Sequence, residues 1–209
     1  MAGDARLRIL EATYTCVARY GLAKTTVEDA ARISGMARAT IYRYFPGGRE
    51  QLVAEVIAWE AGRFFERLAA AVGETEGLDE LLEEALYFSH RAVEEHEVLQ
   101  KILQTEPDRL LPQLTVESTR IIGYIRAFLM PHMEEASRSV GLDPEEAADF
   151  VARMLLSFTG SPGRWDLSDR AQVKELVRTE VLAALHPAVP VASSGPDRPD
   201  VTDGTVRPS

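Results

Sequence analysis

Apolar residues recur at spacings of three and four almost without interruption to about residue 186, and alternating β-branched runs are absent. That period belongs to helices that bury one face. A first helix is expected over about residues 5–20, with Ile9, Leu10, Cys16 and Val17 on its apolar side and Gly21 as its stop. Two short helices follow. A long one is then expected over about 49–72, carrying Leu52, Val53, Val56, Phe64 and Leu68, and residues 73–77 break it. Further helices are expected over about 78–95 and 96–104. Pro107 and Pro112 then disrupt the pattern, and another helix is expected over about 114–139. Asp143-Pro144-Glu145-Glu146 is a strong start signal: a capping acid, proline at the first helical position, then acids facing the helix dipole. That helix ends near Gly160, and Ser168 or Asp169 opens a last one reaching about Leu185. The pattern predicts an all-α chain of about nine helices. From Pro187 onward, Pro190, Pro196, Pro199 and Pro208 are interleaved with Gly, Ser and Asp, so 187–209 is expected to be a disordered tail.

Composition narrows the class. The chain has 209 residues, 45% hydrophobic and 27% charged, ordinary for a globular protein with a real core. No apolar run approaches the roughly 20 residues that span a bilayer, so no membrane partner is expected. Asp4, Arg6 and Arg8 lead straight into the first helical pattern with no apolar signal region, and the single cysteine, Cys16, excludes an internal disulfide. A cytoplasmic location is the expectation. The net charge of −10 argues at first against nucleic acid. Its distribution reverses that. Residues 1–50 hold Arg6, Arg8, Arg19, Lys24, Arg32, Arg38, Arg43 and Arg49 against Asp4, Glu11, Glu28, Asp29 and Glu50, a balance of +3 that leaves −13 for the remainder. A basic end on an acidic body approaches a polyanion in one orientation.

The informative stretch is 25–45. Thr26-Val27-Glu28-Asp29 forms a capping box, with Thr26 as N-cap and Asp29 three residues on. Val27, Ala30 and Ala31 supply the buried side of a two-turn helix, and Gly35 stands where the chain must turn sharply. The next helix starts near Ala37 or Arg38 and reaches Tyr44. At about 100° per residue, Ile41, Tyr44 and Phe45 share one face, Arg38, Ala39, Tyr42 and Arg43 the other, and Thr40 lies at the border. A helix with small and basic residues on its exposed side fits the major groove, where Arg pairs with guanine edges and hydroxyls go to phosphates. On geometry alone a surface helix that is merely basic remains the alternative.

Gly21, Thr26-Val27, Ala31, Ser34-Gly35-Met36, the run Arg38-Ala39-Thr40-Ile41-Tyr42-Arg43-Tyr44-Phe45-Pro46 and Leu52 closely resemble the TetR family DNA-binding domain, over about residues 5–60. The resemblance implies a three-helix DNA-binding domain over 1–48, with its helix-turn-helix at 26–45, and a helical ligand-binding and dimerisation domain over 49–186. It further implies a homodimer on a palindromic double-stranded DNA operator and a small-molecule effector. By the family's roles Thr26 and Tyr42 clamp phosphates, while Arg38, Ala39 and Arg43 are candidates for base contact. Thr25, Thr40, Tyr44 and Arg49 complete the candidate DNA-binding set. Two positions depart from the family. Ala37 stands where Ser or Thr often caps the recognition helix, a loss of roughly 1 kcal/mol. Gly47-Gly48 stands where a phosphate-binding Lys is common; Arg49, or backbone N–H groups at the helix start, would have to replace it.

In the acidic body, the last two long helices carry apolar stripes: Phe150, Val151, Met154 and Phe158, then Val173, Leu176, Val177 and Val181. In similar proteins these helices pair with their copies; burial within one subunit is the alternative. Trp59, Phe64, Tyr87, Phe88, Tyr124, Phe128, Met130 and Met133 are candidate pocket liners, and together they suit a mostly apolar cavity and a hydrophobic effector. His90, His96 and His132 lack the Glu-x-x-His spacing of helical metal sites, and Glu94 and Glu95 beside them suit a solvated face. No nucleophile elbow, phosphate loop or dinucleotide fingerprint occurs, so no metal, no cofactor and no enzymatic activity are expected. Cys16 is expected to be core, and Trp165 to anchor the loop before the last helix. The leading reading is a repressor released from its operator by an effector. An effector-blind DNA binder, or a helical enzyme or carrier, is the alternative.

Overall fold

The computed structural model describes residues 2–185, leaving the expected tail at 187–209 outside the described residues. Among them the chain is all-helical. The elements are α1 (Ala2–Tyr20), α2 (Val27–Ser34), α3 (Arg38–Tyr44), α4 (Gly48–Val72), α5 (Leu78–Glu94), α6 (Glu97–Thr105), α7 (Pro107–Val140), α8 (Pro144–Gly160) and α9 (Arg170–Leu176). A π-helical segment, Val177–Leu182, and the short α10 (Ala183–Leu185) continue α9.

Local chemistry sets most of these ends. Thr26 caps α2, its Oγ1 accepting the Asp29 N–H at 3.1 Å, and Gly35 closes the helix in the left-handed conformation at φ +68°. Asp143 accepts the N–H groups of both Glu145 and Glu146 at the start of α8, as the capping acid predicts. Ala37 gives α3 no side-chain cap. His96 is the N-cap of α6, its Nδ1 accepting the Leu99 N–H at 3.1 Å, so the ring is engaged as a structural acceptor.

Two expectations fail in α7 and beyond α9. The helix expected from residue 114 begins at Pro107 and contains both Pro112 and Pro131. Pro107 occupies the first helical position, where a missing N–H is harmless. Pro112 and Pro131 sit on the exposed side, where water can take the carbonyls they release. The last helix is not uniform either, because its ladder widens to π spacing over Val177–Leu182.

Three apolar clusters hold the chain together. In the first, Ile9 and Leu10 of α1 and Val27 and Ala30 of α2 close on Ile41 and Phe45 around α3, with Leu52 and Val56 of α4. Ile41 and Phe45 are fully buried, each worth roughly 1.5–3 kcal/mol relative to exposure. In the second, Val17 and Leu22 pack on Ile102 and Leu110, joining the end of α1 to α6 and α7. The third is the body, where α5, α7, α8 and the last helical run meet around Leu82, Met133, Val151 and Leu176. Cys16 is fully buried, and that burial raises its thiol pKa, as befits a packing residue rather than a redox centre. Trp165 packs half-buried on the body under the Arg164 guanidinium, holding its loop down as expected. Among the described residues no helix is long and apolar enough to cross a membrane.

Candidate nucleic-acid interface

The helix pair α2–α3 is positioned by its buried face and offers the other face outward. With Ile41 and Phe45 anchored and Tyr44 and Met36 packed against the same cluster, rotation of α3 is set. Arg38, Ala39, Tyr42 and Arg43 are thereby exposed, and Thr40 is half-buried at the edge. Tyr42, at 43% exposure, is one of the few exposed large hydrophobic side chains among the described residues. Arg43 lies 5.3 Å over the Tyr44 ring and, among the described residues, meets no carboxylate. Arg38 is different. Its guanidinium is held by Glu28 of α2 at 2.5 Å, an ion pair across the turn with both partners more than half exposed. Such a pair contributes between nothing and about 1 kcal/mol, so exchanging Glu28 for a phosphate or a base is not hindered by its strength.

Thr25 and Arg49 serve the scaffold, and Thr26 caps α2. Thr25 is buried and its hydroxyl donates to the Gly21 carbonyl at 2.7 Å, so that side chain is not free to meet DNA. Thr26 donates to Asp29 Oδ2 at 2.6 Å while capping α2. The Thr26 hydroxyl and then the Arg32 guanidinium hold the Asp29 carboxyl below the usual carboxylate range. Arg49 does not stand in for a phosphate-binding lysine. Its guanidinium donates to the carbonyls of Leu22, Thr25 and Ala23 at 2.5, 2.8 and 3.1 Å, clamping the α1–α2 loop to α4. The glycines before it are engaged as well: the Gly47 N–H donates to Gln51 Oε1 and the Gly48 N–H to the Phe45 carbonyl. A β-carbon on Gly48 would come within 3.3 Å of the Tyr42 ring, so the glycine lets that tyrosine settle.

The loop and the last turn of α1 are gripped from the body as well. Glu106, at the end of α6, accepts the Ala23 N–H at 2.7 Å, and Lys101 donates to the Ala18 carbonyl at 2.8 Å. Gly21, at φ +84°, admits this contact, because a β-carbon there would fall 1.9 Å from Glu106 Oε1. Neither tie is visible in the sequence, since 83 residues separate the partners. The Glu28–Arg38 pair was equally silent, although Glu28 in the capping box could have flagged it.

In the body, the eight candidate liners do not enclose one apolar cavity among the described residues. Met133 is fully buried core, Met130 packs beside it, and Trp59 joins the N-terminal cluster edge-on to Tyr14 at 6.2 Å. Phe64 stacks between Phe65 and Phe88, while Tyr124 and Phe128 are 58% and 42% exposed. Only Tyr87 and Phe88 line the larger cleft, about 610 Å³ between α1, α4, α5 and α6, whose rim is charged rather than apolar. The dimer stripe is corrected in the same way. Val151, Val173, Leu176, Val177 and Val181 are at most 1% exposed within the single chain and so cannot meet a copy; Phe150, Met154 and Phe158 are only partly covered.

A capped helix, a glycine turn and a second helix with an exposed basic face, set on an acidic helical body, define a helix-turn-helix regulator. Comparison with known proteins gives the family. Residues 9–56 match the model of bacterial regulatory proteins of the tetR family. The HTH-type transcriptional repressor KstR2 of Mycolicibacterium smegmatis is 30% identical over 166 residues, 77% of this chain and 78% of that one. The TetR family repressor AlkX from a Dietzia strain, implicated in biodegradation of n-alkanes, shares the fold at a TM-score of 0.59 and 24% identity, over 85% of this chain and 95% of that one. FadR from Bacillus subtilis, solved in complex with stearoyl-CoA, does so at 0.52 and 19%, over 82% and 96%. The chain belongs to the TetR family and is a DNA-binding transcriptional regulator.

Proposed function

We propose that the chain is a homodimeric repressor that a small-molecule effector releases from a palindromic operator. The observation that carries this reading is the exposed face of α3, where Arg43 has no carboxylate partner among the described residues and Tyr42 stands clear of the core. In the DNA complex Arg43 and Ala39 face base edges, Arg38 leaves Glu28 for the groove, and Tyr42 and Thr26 approach phosphates. Two copies, meeting through the partly covered residues Phe150, Met154 and Phe158, would set their α3 helices on half-sites about 34 Å apart or a multiple of it. The relatives support repression, since KstR2 and AlkX are named repressors, and the stearoyl-CoA complex of FadR supports an effector. The ties from Glu106 to the α1–α2 loop and from Lys101 to the end of α1 give the body a direct hold on the DNA-reading unit. An effector that favours one setting of that hold shifts the population able to match both half-sites.

The test starts with an operator obtained by selection from random DNA. Tyr42→Ala should weaken retardation of that operator while light scattering still reports a dimer. Unchanged retardation would remove α3 from the interface, and a monomeric wild-type protein would remove the dimer.

A further inference from the structure

The cleft of about 610 Å³ brings together side chains from both ends of the molecule: Tyr14 from α1, Arg63 and Arg67 from α4, Tyr87 and Phe88 from α5, and His96 at the start of α6. Its volume falls within the range of small-molecule sites. Most of its charges are already matched. Arg63 meets Glu60 and Arg170 meets Glu84, each at 2.7 Å, and Arg91 closes on Glu95. Glu97 lies in the first turn of α6, where the helix dipole favours an acid. Two donors remain. Among the described residues neither the Arg67 guanidinium nor the Tyr14 hydroxyl has a hydrogen-bond or ion-pair partner, and both line the cleft. Beside them the floor is aromatic. Phe88 leans on Phe64, Tyr87 lies 3.9 Å beneath the Arg170 guanidinium, and Tyr14 stands edge-on to both Trp59 and the His96 ring.

An exposed guanidinium and a half-buried phenol, both without a protein partner among the described residues, stand beside the Phe88 ring and suit an acceptor-rich, negatively charged group attached to an apolar body. We propose that this cleft binds an organic anion, a carboxylate, sulfonate or phosphate ester, with its charged group between Arg67 and Tyr14 and its body on Phe88, the Tyr87 ring being covered by Arg170. Such a ligand touches α1, α4 and α5 at once, and so links the DNA-reading unit to the body. That the bound anion alters DNA affinity rests on the repressor reading above; the binding itself does not.

Anilinonaphthalene sulfonate is the probe, with uncharged phenylnaphthylamine as its twin, both titrated by fluorescence into the full chain. Loss of a charge-assisted hydrogen bond predicts that Arg67→Gln weakens the sulfonate about tenfold, and loss of a neutral one that Tyr14→Phe weakens it about three- to fivefold. Neither variant should change phenylnaphthylamine binding, whereas Phe88→Ala should weaken both probes. Circular dichroism melts confirm that each variant is folded. Equal sulfonate affinity in wild type, Arg67→Gln and Tyr14→Phe would overturn the proposal. So would loss of the signal on substituting the exposed Tyr124 and Phe128. Operator retardation separates the two readings. Arg67-dependent probe binding that leaves retardation unchanged keeps the anion site and removes effector control. Release of operator that is indifferent to Arg67→Gln keeps effector control and removes the anion site.

Discussion

On α3, Arg43 carries its charge into solvent with only the Tyr44 ring beside it, whereas on α5 Arg91 is closed onto Glu95, and Arg170 reaches from α9 to Glu84. Both regions are rich in arginine, but in one the cation is available and in the other it is matched. Net charge alone hides this difference. Residues 51–186 hold 25 of the 33 acids, so the arginines of the body are mostly neutralised in place and its remaining field repels phosphate. The N-terminal unit keeps a positive balance, and α3 exposes Arg43 with no carboxylate partner among the described residues. On the proposed reading DNA affinity follows the unpaired Arg43, while fold stability follows apolar burial elsewhere.

That division can be broken or sharpened by substitution. The largest effect is expected in the body: Leu176→Ala removes a fully buried side chain and should cost about 2–5 kcal/mol, read as a fall in denaturation midpoint. Operator affinity measured well below that midpoint should change little. If affinity falls as steeply as stability, the two regions are not separable.

Next in size is the joint between them. Glu106→Ala removes a charge-assisted hydrogen bond to the Ala23 N–H and should cost roughly 1–3 kcal/mol of stability. The contact also predicts non-additivity with Gly21→Ala, whose added methyl would collide with Glu106. The double variant should lose less than the two single losses combined. Strict additivity across the four melting curves would show that Glu106 does not press on Gly21.

The smallest effect should be a gain. Glu28→Gln frees Arg38 and removes a negative charge from the edge of the reading face, so operator affinity should rise about two- to fivefold, the scale of an exposed ion pair. Unchanged or weaker binding in a titration at fixed salt would place Glu28 outside the DNA footprint.

How much of this was legible in the sequence depends on distance along the chain. The α2 cap, the turn at Gly35 and the buried face of α3 were readable because Thr26, Asp29, Gly35, Ile41 and Phe45 act within a turn or two of one another. The start of α7 was misjudged because Pro107 and Pro112 read as breakers, though the first opens a helix and the second is carried on its exposed side. Pocket liners and dimer stripes could not be sorted from core, since one helical period serves all three. Val151 and Leu176 turned inward and Tyr124 outward for reasons set by neighbouring helices. Arg49 was misassigned because its targets, the carbonyls of the α1–α2 loop, lie 24 to 27 residues away.

The central claim is that DNA is gripped through the exposed face of α3, where Arg43 has no carboxylate partner among the described residues, and not by the matched cations of the body. It is tested most directly by operator affinity across a salt series for Arg43→Ala beside Arg91→Ala. Arg43→Ala should cost about 1–3 kcal/mol of binding, while Arg91→Ala should leave both affinity and salt slope at the wild-type values. Equal losses in the two variants, or a loss confined to Arg91→Ala, would contradict the account.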